Sequence, residues 1–261
     1  MSVIEALSPS KHAYGWKRPL PGRGALDLLP HVDTSGLPIL PEVDPRPHMP
    51  PALNQGQLGS CTANATARCF RYDTIMDGKD CGELSRRWIY HFEKVIERTH
   101  GQGDTGAEGH DAFTVAKHGI PDESLYPYSE DIEAVEAKPP DVEPRAYTLK
   151  KPVHAVPQNL NQIKQALSNK QTIAYGFTVY RDFEEPWLTE GEMPEPDPSE
   201  EVMGGHENLL CGYLKDYPGF LLSLNSWGTQ WGVFGGYFLF PIATFLNPSI
   251  TADLRTIVRA V

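Results

Sequence analysis

The chain has 261 residues, 40% of them hydrophobic, which is enough for one large domain or two lobes around a sizeable core. Acidic side chains outnumber basic ones, 34 to 23, for a net charge of −11. That balance argues against nucleic acid and anionic membrane surfaces as partners, since both call for clustered Lys and Arg. The amino terminus has no apolar segment of signal-peptide type, and no later run is long enough to span a membrane. A cytoplasmic location is therefore expected, with export without a cleaved signal left open. Cys61, Cys69, Cys81 and Cys211 are few and scattered, with no CxxC pair, so free thiols and no metal or cofactor are expected.

Residues 1–45 are rich in Pro and Gly and show neither helical nor alternating apolar periodicity, so they read as an extended arm lying over a surface. A lobe of helices is expected over 46–128. Its first helix starts at Cys61, with Ala63, Ala67 and Phe70 at helical spacing, and ends at Gly78. A second begins near Ser85, a candidate N-cap, with Trp88, Phe92, Val95 and Ile96 on one face. A third, HDAFTVAKHG, stops at Gly119. The acidic, proline-bearing stretch from Ser129 to Tyr147 marks the transition to a mainly β lobe over 129–261. There Leu160, Ile163 and Leu167 suggest one short helix, and TIAYGFTVY, ENLLCGYL, GFLLSLNSW and GGYFLFPI read as strands. Helices first and strands second is an α+β order.

The chemistry centres on NQGQLGSC, which places Cys61 at a helix start. A cysteine attacks as thiolate, and at an ordinary pKa near 8.5 it is mostly protonated at neutral pH. The positive end of a helix and a nearby imidazolium both lower that pKa, and the imidazolium can later protonate a leaving amine. Nine histidines are present, so context must choose among them. His206 lies in GGHENLLCGY, after two glycines and before a strand-like run. A short distance on, NSWGTQWG offers Asn225 to hold an imidazole in one tautomer and Trp227 to shield that hydrogen bond from water.

NQGQLGSC, GGH and NSWGTQWG, with the upstream PEVDPR and the mid-chain GIPDESLYPY, resemble the papain-like cysteine peptidases in order and spacing, from about Pro41 to Tyr237. The resemblance implies a two-lobed α+β fold, a helical lobe and a β-barrel-like lobe with the cleft between them. It implies Cys61 as nucleophile, His206 as acid/base partner, Asn225 as orienting residue and Gln55 as an oxyanion donor beside the Cys61 N–H, acting on a peptide or protein substrate. Such donors stabilise charge that develops in the transition state, each worth on the order of 3 kcal/mol. Gly106, in DTGAEG, resembles the family segment whose backbone pairs with extended substrate.

Three positions depart from the family pattern. Leu58 stands where secreted members carry a disulfide-bonded cysteine, in keeping with the cytoplasmic expectation. Thr62 stands where an aromatic residue follows the nucleophile, which implies a differently shaped cleft floor, and Glu207 stands where a small or apolar residue follows the histidine. The eight acidic residues of Glu184–Glu201 read first as a solvated loop; the sharper reading is that, with Glu207, they give the cleft a negative field favouring substrates with Lys or Arg near the scissile bond. Many members of the family carry a long helical propeptide, whereas here a proline-rich stretch of 40 residues precedes PEVDPR. The expected reading is that no zymogen step is needed; the other is that the arm covers part of the cleft. Two other activities use the same residues: acyl transfer to an amine, or silent binding of an extended peptide. The oligomeric state is left open.

Overall fold

A computed structural model describes residues 12–19, 29–142, 151–184, 191–197 and 199–259. In chain order these form α1 (Cys61–Met76), α2 (Arg86–Ile96), α3 (Gly109–His118), α4 (Ile132–Glu136), β1 (Val153–Ala155), α5 (Leu160–Ser168), β2 (Ile173–Tyr180), β3 (Val202–Gly212), β4 (Phe220–Leu224), β5 (Tyr237–Pro241), α6 (Ile242–Phe245) and β6 (Thr251–Ile257). The strands pair antiparallel in the order β1-β6-β2-β3-β4-β5. The α+β class holds, but the sheet stays open: β1 and β5 form its two edges, and the strands do not close into a barrel.

Side chains on successive strand residues point to opposite faces, and that alternation sorts the core in two. Ala174, Leu209, Leu222 and Leu239 face α1–α3, where they join Ala63, Ala67, Phe70, Ile89 and Phe113. Ile173, Tyr175, Phe177, Leu210, Leu221, Phe238 and Phe240 face the other way and pack with α5, Phe245 of α6, Trp227 and Trp231. α1 runs between the other helices and the sheet, buried for most of its length, so its sequence shows little amphipathic contrast. The Ser60 N-cap makes no side-chain capping bond; Asn64 Nδ2 instead donates to the Ser60 carbonyl at 2.9 Å.

Several expectations need adjusting. α1 ends at Met76, just ahead of Gly78. Ser85 does cap α2, accepting from Trp88 N at 3.1 Å, but the expected apolar face is the outer one. Val95 and Ile96 are exposed, Trp88 and Phe92 are half-buried, and the buried face carries Ile89, Tyr90, Glu93 and Lys94. The charge of Lys94 is accommodated by Glu136 at 3.2 Å and the Thr99 carbonyl at 3.3 Å. β1 and β6 were not among the expected strands. β6 holds Thr, Asp and Arg that are buried with polar partners, so no apolar alternation marks it.

The described parts of the arm are extended, joined to the body by isolated bridges. Val32 N donates to the Ala155 carbonyl beside β1, and Val43 exchanges bonds with Tyr213. Residues 12–17 cross the molecule between α3 and β3.

Candidate active site

Cys61 opens α1 and is fully buried. His206 leaves β3 and Asn225 follows β4; antiparallel pairing of those strands brings their side chains together, with His206 Nε2 2.8 Å from Asn225 Oδ1. The Ser226 backbone N–H also donates to Asn225 Oδ1, at 2.7 Å, which fixes that amide. Trp227 stacks on the His206 ring, with centroids 4.8 Å apart and planes at 27°, covering the hydrogen bond. His206 Nδ1 is buried and has no hydrogen-bond partner among the described residues.

Gln55 is held at both ends. Its backbone N–H donates to the Ser226 carbonyl at 2.8 Å, its Oε1 accepts from Ser226 Oγ at 2.6 Å, and its carbonyl accepts from Tyr128 Oη at 2.8 Å. With Oε1 engaged by a donor, Nε2 must point the other way. It donates to the Leu58 carbonyl at 2.9 Å and to the Ala13 carbonyl at 3.1 Å. A backbone carbonyl of the arm thus sits on the amide expected to serve an oxyanion.

The arm fills the cleft around that bond. The backbone N–H of Gly15 faces the Cys61 sulfur, as does that of Glu207. A Cβ on Gly15 would lie 1.8 Å from the Gly59 carbonyl oxygen, so only glycine fits there. Ala107 N donates to the Gly15 carbonyl at 2.7 Å and Lys17 N to the Ala107 carbonyl at 2.9 Å, a parallel bridge, while Trp16 N donates to the Gly205 carbonyl at 2.8 Å. Tyr14 packs edge-on against His206, and His12 stacks on Trp227 at 3.9 Å. The arm thus lies in the cleft, as the second of the two readings had it: glycines at 15, 59 and 106 let three backbones meet over Cys61.

This enclosure sets the charges. Burial pushes the Cys61 thiol up to about 12, outweighing the two N–H groups that favour its ionised form. Burial likewise lowers His206 to about 4, against the Asn225 hydrogen bond that raises it. Under the arm both groups are neutral at pH 7.

The remaining site residues fall in different places. Gly106 lies beside the arm: its φ of 66° and the 2.1 Å from an added Cβ to the Gly15 carbonyl require glycine, while the pairing itself is made by Ala107. Thr62 is fully buried, its hydroxyl turned to the Glu93 carboxyl, so it does not shape the cleft surface as expected. Glu207 is fully buried as well, paired with Arg255 at 3.3 Å, and burial raises it to about 8. Strand alternation turns the Glu207 side chain away from the face that His206 uses, into the buried pair with Arg255 and off the cleft surface, although its charge still reaches Cys61 and helps to raise that thiol. Much of the acidic stretch lies outside the described residues; in its described part Arg181 pairs with Glu201.

Sequence reasoning missed the supports. Asp104 accepts from Gly59 N at 2.7 Å and from Tyr90 Oη at 2.5 Å, and Tyr90 Oη accepts from Gly106 N at 3.0 Å, so one chain of bonds ties the segments around Gly59 and Gly106 together on the helical side of the cleft. Ser226 and Tyr128 stood inside quoted motifs, NSWG and YPY, yet nothing in the motifs pointed them at Gln55.

An antiparallel sheet with one core on each face, a cysteine at the start of the helix packed on it, a histidine on β3 and an asparagine just after β4 define a papain-like fold. The family model described as papain family cysteine protease matches residues 40–247, and the chain belongs to that family. An uncharacterized peptidase C1-like protein of Acanthamoeba polyphaga mimivirus is 29% identical over 214 residues, 77% of this chain and 67% of that one. Procathepsin L of Mus musculus is 28% identical over 201 residues, covering 71% of this chain; the chain spans 55% of its length. Among solved structures, xylellain, a cysteine protease from Xylella fastidiosa, superposes with a TM-score of 0.82 at 26% identity, covering 96% of this chain and 98% of that one. No described helix is long and apolar enough to cross a membrane, and no cluster of His, Cys, Asp and Glu suited to a metal ion occurs among the described residues.

Proposed function

We propose that the chain hydrolyses peptide bonds through Cys61, His206, Asn225 and Gln55. The observation that carries this reading is the seating of a peptide carbonyl, that of Ala13, on the Gln55 side-chain amide beside Cys61. In the reaction the Cys61 proton passes to His206 and the thiolate attacks the substrate carbonyl carbon. Charge gathers on the oxygen held by Gln55 Nε2 and the Cys61 N–H. As the C–N bond breaks, His206 returns the proton to the departing amine, leaving a thioester. Water then loses a proton to His206, attacks the thioester, and releases the acid and the Cys61 thiol. Asn225 holds the imidazole so that Nδ1, the nitrogen lacking a partner, is the one that exchanges protons.

The arm must leave before this cycle can run, because it occupies Gln55 Nε2 and its burial of the site keeps the Cys61 thiol and the His206 imidazole neutral. Removing the arm admits water and substrate, relieves the burial that holds both groups neutral, and frees Gln55 Nε2. The test is covalent labelling by a thiol-directed peptidase inhibitor of chain whose arm is displaced by Gly15→Val, with and without Cys61→Ala. One label per chain, lost with Cys61→Ala, is expected; labelling that survives the Cys61 change sinks the assignment. Amine adducts in place of free carboxylates among the products would instead favour acyl transfer.

A further inference from the structure

Two stretches of backbone on the helical side of the cleft receive the arm, and they come from distant parts of the chain. In the first, Gln55–Cys61, Gln55 Nε2 holds the Ala13 carbonyl, the Gly15 N–H faces the Cys61 sulfur, and Gly15 lies against the Gly59 carbonyl. In the second, Gly106–Ala107, the Ala107 N–H holds the Gly15 carbonyl and the Ala107 carbonyl accepts from the Lys17 N–H. The run from Ala13 to Lys17 bonds to both at once. An extended chain repeats about every 3.3 Å, so a peptide can seat on Ala107 and present a carbonyl to Cys61 and Gln55 only if the two stretches keep a fixed spacing.

Asp104 joins them. One of its carboxylate oxygens accepts from Gly59 N at 2.7 Å and the other from Tyr90 Oη at 2.5 Å, and Tyr90 Oη in turn accepts from Gly106 N at 3.0 Å. The contact is close: a Cβ on Gly59 would lie 2.9 Å from Asp104 Oδ1. Asp104 stands in the 97–108 connection between α2 and α3, which has no helix or strand of its own to fix it. Two buried side chains of α2, one turn apart, hold this connection instead. Tyr90 supplies the hydroxyl, which burial and the neighbouring Asp104 keep protonated. Lys94 Nζ bonds the Gly103 carbonyl at 2.5 Å and Thr105 Oγ1 at 3.2 Å, on either side of Asp104. Stability alone gives little reason for the arrangement. Asp104 is exposed, so water can take the place of its carboxylate and serve both donors. What water cannot do is hold them at one distance.

The geometry points to Asp104 as a positioning residue: with Tyr90 it sets the register between the Ala107 backbone and the nucleophile, so that a peptide seated on Ala107 brings its scissile carbonyl to Cys61. The inference rests on the peptidase reading above and concerns how that site receives an extended chain. Both donors point at Asp104, so the position calls for a group with two acceptors and no donor, which is a carboxylate. Asparagine has one acceptor oxygen and leaves either the Gly59 N–H or the Tyr90 hydroxyl without a partner, which cuts the tie while keeping the shape. Tyr90→Phe cuts it at the other link, between Asp104 and Gly106, and leaves Gly59 held.

The test couples Asp104 to the Ala107 bonds from the substrate side. In the full chain carrying Gly15→Val, with the arm released, kcat/KM is measured for a series of peptide amides in which each backbone N–H ahead of the scissile bond is replaced in turn by an ester oxygen. One replacement, at the N–H that bonds the Ala107 carbonyl, is expected to cost about tenfold. Adding Asp104→Asn or Tyr90→Phe is expected to shrink that cost to about twofold, because binding at Ala107 no longer brings the carbonyl to Cys61. A merely structural role would scale the rates of all the peptides together, and thermal melts confirm that each variant is folded. A cost that stays near tenfold in either variant overturns the proposal, as does the absence of any costly position in the Gly15→Val parent. If no peptide is cut at all, the peptidase reading fails separately, and the same series is compared by calorimetric binding. An ester cost in affinity that shrinks with Asp104→Asn then upholds the register, and an unchanged cost overturns it.

Discussion

Two segments meet over the nucleophile, Gln55–Cys61 and His12–Trp16, and they are held in opposite ways. The first is anchored by its own lobe and its neighbour. Gln55 is fixed by Ser226 and Tyr128, and Gly59 N by Asp104, all through bonds of 2.6–2.8 Å. The second borrows everything: its carbonyls and N–H groups are satisfied by Gln55, Ala107 and Gly205, and its rings by Trp227, His206, Gly176 and Asp253. A segment whose partners all lie on surfaces that must also receive substrate is held in competition with substrate, whereas one tied into buried hydrogen bonds is part of the scaffold.

The largest expected effect comes from breaking the borrowed segment. With Cys61 held at about 12, the thiol is protonated throughout the neutral range and its thiolate grows only as pH climbs toward that value. Gly15→Val forces a side chain into the Gly59 carbonyl and should release the arm. If the thiol then returns to an ordinary pKa near 8.5, its thiolate fraction at pH 7 rises on the order of 10³-fold. Alkylation by iodoacetamide, followed against pH, should speed up accordingly and show its inflection several units lower. Equal rates in both chains would mean that the arm does not control the thiol.

A smaller effect should follow from damaging the anchored segment. In the released chain, Gln55→Ala removes a transition-state donor and should lower kcat about 10²-fold with little change in KM. A loss confined to KM would place Gln55 in ground-state binding instead. Smaller again is Ser226→Ala, which leaves Gln55 in place but frees its Oε1; a kcat loss of about threefold to tenfold is expected. Combined with Gln55→Ala it should cost nothing more, since both changes act on one group, and full additivity in the cycle would show that Ser226 works elsewhere.

The helices α1, α2, α3 and α5 and the strands β2–β5 were legible as elements because their apolar spacing, caps and terminal glycines are local properties. The burial of α2 was not, because its inner face carries Glu93 and Lys94, and the Lys94 charge is matched by Glu136 of α4 and the Thr99 carbonyl, which no local pattern announces. β6 was hidden for the same reason: Arg255 and Asp253 read as solvent-facing until Glu207 and the arm supply their partners. Glu207 was assigned to the cleft from its position after His206, and the strand's alternation turned it inward.

What the sequence determined by itself was the composition of the candidate site, since Gln55, Cys61, His206 and Asn225, the residues proposed for it, sit in short motifs whose glycines and neighbouring residues mark them out. Only the tertiary structure decided what occupies it. The arm has no periodicity of its own, so nothing local says where it lies; its place is set by the match between Gly15 and the Gly59 carbonyl and between Trp16 and a gap left by two glycines on separate strands. Complementarity of that kind depends on surfaces assembled from distant parts of the chain, and it exists only once they are folded together.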